Sequence, residues 1–60
     1  MNYYHKDMEK ELKLISFDDR QWVFKYETKE GAVEKPYTVE TVNFLLQNEI
    51  LVRSEINSII

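Results

Sequence analysis

Asp18 and Asp19 form the one adjacent pair of carboxylates among eleven acidic residues. Two carboxylates do general acid–base work when one is desolvated in a cleft, which raises its pKa. Here they sit in DDRQ, a polar cluster between two apolar runs, where aspartate is favoured by turn geometry and points into water. His5 is the sole histidine and there is no cysteine, so a metal site would have to be built from carboxylates alone. An exposed histidine with no companion reads as a residue without a catalytic role. Ser16, Ser54 and Ser58 have no histidine arranged to activate them. A single glycine leaves no material for a glycine-rich phosphate loop. The chemistry-bearing residues therefore predict a non-enzymatic protein with no catalytic residue, no metal and no cofactor.

Trp22, Phe24 and Tyr26, with Lys25 between them, have the composition of a stacking platform for single-stranded nucleic acid. The same period of two is what a core-facing strand requires, and that reading is preferred. The basic residues Arg20, Lys25, Lys29 and Lys35 are interleaved with Asp18, Asp19, Glu27, Glu30 and Glu34, which gives a phosphate backbone a mixed field. A net charge of −3 and a pI near 5.0 point the same way, against general nucleic-acid binding.

The elements that would position these residues follow from periodicity. ELKLISF, WVFKYE and AVEKPY predict three antiparallel strands at about 11–17, 22–27 and 32–37, joined by four-residue loops at 18–21 and 28–31. That register pairs Phe17 with Trp22, Ile15 with Phe24, Tyr26 with Val33 and Trp22 with Tyr37, and it sets Lys25 opposite Glu34. It also leaves Leu12, Leu14 and Val23 on the far face. Three coverings are open: the N-terminal segment through Tyr3, Tyr4 and Met8, another chain, or a β-bulge near 14–15 that turns the leucines inward. Pro36 marks the third strand as an edge. Residues 1–10 read as a helical turn or a lead-in.

From Thr38, a candidate N-cap with Glu40 in the first turn, the chain predicts a helix over 38–60. Val39, Val42, Leu45, Leu46, Ile50, Val52, Ile56, Ile59 and Ile60 form its apolar stripe. A break into two helices near Asn48 is the second choice. The expected core is Trp22, Phe24, Phe17, Val42 and Leu46.

The sequence thus predicts a single small α+β domain: a three-stranded antiparallel meander against a C-terminal helix. Sixty residues without a disulfide or metal to staple them predict association, as a homodimer. A 23-residue helix of about 34 Å overhangs strands of about 20 Å, which nominates Val52, Ile56, Ile59 and Ile60 for self-association. The polar helix side, Glu40, Asn43, Gln47, Glu49 and Glu55, is the candidate partner-facing surface.

The function expected is a small regulator or inhibitor that occupies a partner protein's surface. The alternative is a sequence-specific nucleic-acid binder with a helix–turn–helix in the C-terminal half, using Arg53 and Asn57. A subunit completed only inside a larger assembly is the third reading. The acidic, cysteine-free style is similar in size and composition to small intracellular regulators, including those of phages and mobile elements. No apolar run approaches the length of a membrane span, and the N-terminus carries no signal-like segment, so the expected location is the cytoplasm.

Overall fold

The computed structural model describes residues 1–54. Its elements are β1 (Asn2–His5), β2 (Lys10–Phe17), β3 (Gln21–Thr28), β4 (Gly31–Thr38), α1 (Val39–Gln47) and β5 (Leu51–Arg53). The strands form one antiparallel sheet in the order β4-β3-β2-β1-β5. The expected three-stranded meander is therefore corrected to a five-stranded sheet with one short helix, although the chain remains small and of α+β character.

The central part follows the sequence closely. Phe17 pairs with Trp22, Tyr26 with Val33, Lys25 with Glu34 and Trp22 with Tyr37. Asp18 closes its loop by accepting the N–H groups of Arg20 and Gln21 at 2.8 and 2.9 Å. Gly31 takes φ +117°, a backbone conformation open to glycine. Pro36 lies in the edge strand β4. Phe24, however, pairs with Leu14 rather than Ile15, because the β2–β3 register shifts between Leu14 and Ser16. This is the bulge reading. It puts Leu12 and Leu14 on the helix side, and leaves Val23 alone of the three on the open face.

Both ends of the chain depart from expectation. Residues 2–5 are a strand, with Tyr3 opposite Leu12 and His5 opposite Lys10. The helix stops at Gln47. Thr38 caps its start, accepting the Thr41 N–H at 3.1 Å. At the other end Asn48 is the C-cap, Glu49 N–H donates to the Leu46 carbonyl (3.1 Å) and Ile50 N–H to that of Leu45 (2.9 Å). Those two bonds make a Schellman motif, with Glu49 left-handed at φ +58°. Beyond it Leu51–Arg53 adds a strand beside β1, so the single long helix is not formed, and the second short helix of the alternative reading falls on 55–60, outside the described residues. Ile56, Ile59, Ile60, Glu55 and Asn57 lie outside the described residues.

A glutamate in the left-handed region is strained by about 1–2 kcal/mol. Glycine removes that strain but has a more flexible unfolded chain, which returns part of the gain. Glu49→Gly is therefore expected to stabilise the fold by about 0.5–1 kcal/mol, raising Tm by a few degrees in a thermal melt. A lowered Tm would show that the turn is not held in this form.

The core lies between the sheet and α1. Tyr3, Leu12, Phe24, Val42 and Leu51 are buried, and Met8, Leu14, Trp22, Tyr26, Tyr37, Leu45 and Leu46 pack around them. Of the five core residues expected, Phe24 and Val42 are buried and Trp22 and Leu46 half-buried, but Phe17 is 68% exposed. The reason is coverage. The single nine-residue helix runs between the end of β4 and the start of β5, and the corner where β2 ends and β3 begins, which holds Phe17, has no helix residue over it.

Candidate functional site

The uncovered corner lies where β1 begins, β2 ends and β3 begins. Met1, Tyr3, Leu14, Phe17, Trp22 and Arg53 line a groove there of about 210 Å³, and no helix residue reaches it. The bulge in β2 builds it. In a regular strand Phe17 would face away from Leu14; one inserted residue brings both, three apart, to the same side. Phe17 and Trp22 lie with ring centroids 6.0 Å apart, and Trp22 is backed by Tyr3 at 6.0 Å and Phe24 at 6.2 Å. Tyr3 and Tyr37 meet Phe24 edge-on at 5.8 and 5.5 Å, so the groove floor rests on an interlocked aromatic layer. Met1 forms the rim: its carbonyl accepts the Leu14 N–H at 2.9 Å and its Sδ the Tyr3 hydroxyl at 3.3 Å, while its side chain is 62% exposed.

The polar residues singled out by type are occupied structurally. His5, expected to be exposed, is buried, and its Nδ1 accepts the Met8 N–H at 3.2 Å. That contact ties the first loop and requires an unprotonated Nδ1. The two backbone N–H groups donated to Asp18, from Arg20 first and Gln21 second, hold its carboxyl below the usual aspartate value. An acid catalyst needs the opposite shift, and the two bonds make Asp18 the residue that closes this turn. Burial, and secondarily Tyr26, pushes the Tyr37 phenol up from its ordinary value.

Of the proposed partner-facing set, Glu40, Asn43 and Gln47 share the exposed side of α1, and Glu49 is exposed in the turn. Phe44 stands among them, 60% exposed, and the helical stripe had not included it. Val52, nominated for self-association, is half-buried on the open face of the sheet opposite Tyr4. Arg53 is in a strand, so it does not begin a recognition helix. Phe17 was missed as a surface residue because its burial depends on how far the helix reaches, which periodicity does not report. No described helix is long and apolar enough to cross a membrane. In comparisons with protein-family models, curated proteins and solved structures, the chain matches none.

Proposed function

We propose that the protein is a small, non-enzymatic regulator that works in the cytoplasm by occupying the surface of a partner protein. The observation that carries this reading is the groove around Phe17. A large aromatic side chain 68% exposed, beside an exposed methionine and a half-buried tryptophan, is apolar surface that a sixty-residue domain leaves in water at a cost. Its floor is packed on the aromatic rings of Tyr3, Trp22 and Phe24, so an incoming aliphatic or aromatic side chain meets a preformed seat, the arrangement found at binding hot spots. The partner's matching element is an apolar anchor on a basic surface, since this chain carries a net charge of −3. Nucleic acid is disfavoured by that same charge.

The test uses affinity capture from native-host extract followed by binding measurements on the captured protein. A stoichiometric complex is expected, weakened by about 10²–10³-fold in Phe17→Asp, which should melt close to the parent because Phe17 is exposed. A partner that binds Phe17→Asp as tightly as the parent would overturn the groove as the contact. Turnover of a small substrate at many equivalents per chain would overturn the regulator reading itself.

A further inference from the structure

The face of the sheet opposite α1 is covered by no element among the described residues, and its charges fall in two rows. Direct cross-strand partners share a face, as do residues two apart along a strand. One row runs Asn2–Lys13–Lys25–Glu34 across β1 to β4. The next runs Val52–Tyr4–Glu11 from β5 to β2, and continues through Glu27–Ala32 on β3 and β4. Asn2, Glu11, Lys13, Lys25 and Glu27 together line a shallow concavity of about 360 Å³, joined at its margin by Tyr26.

Within one protomer the direct lysine pair across β2 and β3 is unfavourable. Lys13 stands directly opposite Lys25, and like charges in that relation repel. Glu34, opposite Lys25 on its other side, offsets part of this. Among the described residues none of Glu11, Lys13, Lys25 or Glu27 makes an ion pair within 4.0 Å.

We propose that this face binds a second copy of the chain, sheet face to sheet face. A two-fold axis lying between the rows and perpendicular to the strands sets the lysine row of one protomer over the glutamate row of the other. Lys13 then meets Glu11 of the second copy and Lys25 meets its Glu27, and each contact occurs twice. An axis parallel to the strands would instead oppose lysine with lysine, so charge selects the orientation. Packed sheet faces lie about 10 Å apart, a gap that an extended lysine and glutamate bridge between them. Tyr4 and Val52 flank the charged rows and supply apolar area. The groove on the other face stays open to a partner, so the two readings stand or fall separately.

Light scattering after size exclusion tests the proposal. The parent should give about twice the 7.3 kDa chain mass, decreasing as salt screens the pairs. Neutralising one row, Lys13→Gln with Lys25→Gln or Glu11→Gln with Glu27→Gln, should weaken the dimer by about tenfold or more. The reversed variants Lys13→Glu/Lys25→Glu and Glu11→Lys/Glu27→Lys should each be monomeric and should pair when mixed. Should a reversed variant fail to fold alone, the neutralised variants decide. A parent monomeric at several hundred micromolar, a dimer untouched by both neutralisations, or folded reversed variants that do not pair on mixing would each overturn it.

Discussion

Phe24→Ala is expected to remove most of the stability of this domain. Phe24 is fully buried, with Tyr3, Trp22 and Tyr37 around its ring and Val42 and Leu12 in the same core. Truncating a buried phenylalanine costs about 3–5 kcal/mol through lost transfer energy and the cavity left behind. A sixty-residue chain holds only about 3–9 kcal/mol in all, so the variant should lose its cooperative urea transition or melt many degrees lower. Phe17→Ala is the control. It belongs to the same aromatic layer but is mostly in water, so it should change stability by about 1 kcal/mol or less. If Phe24→Ala melts within a few degrees of the parent, or if the two variants are equally damaging, the assignment of core and groove is wrong.

The second large effect is at Leu51. As a strand residue beside His5 it is buried against the core, so Leu51→Ala should cost about 2–5 kcal/mol. Had residues 48–53 continued the helix, Leu51 would lie off the apolar stripe, and alanine, the better helix former, would be neutral or mildly stabilising. The sign and size of one substitution thus separate the two structures. Hydrogen exchange gives a second measure. Lys6 N–H donates to the Ile50 carbonyl at 2.7 Å and Ser54 N–H to that of Asn2 at 3.0 Å, at the two ends of the β1–β5 ladder. Both amides should lose protection in Leu51→Ala before the β3–β4 amides do. Unchanged protection at Lys6 and Ser54 would mean that β5 is not held by this leucine.

What the chain reveals without coordinates is whatever a short window decides. The β3–β4 turn is legible because Gly31 occupies the position that needs positive φ. The β2–β3 turn is legible because Asp18 can bond the backbone two and three residues on, and the helix start because Thr38 can cap it. Alternation then places Trp22, Phe24 and Tyr26 on one face.

Of the remaining elements β1 makes a local hairpin with β2, while β5 depends on a partner distant in sequence. Among the described residues three take positive φ, and only one of them is glycine; the turn at Glu9 carries no local signal, and that at Glu49 reads only as a possible break near Asn48. They are held by what they permit: β1 and β5 pair with each other, Lys6 bonds Ile50, and Tyr3, His5 and Leu51 are buried together. A three-residue strand is marginal alone, so β5 could not be read before β1 was in place. The groove has the same origin, since the bulge that brings Leu14 to the side of Phe17 and the short helix that fails to cover them are separate features meeting only in the folded chain. Local propensity determined the central hairpins and the helix start. Pairing between the two ends decided the size of the sheet, where the helix stops and which aromatic residue is left in water.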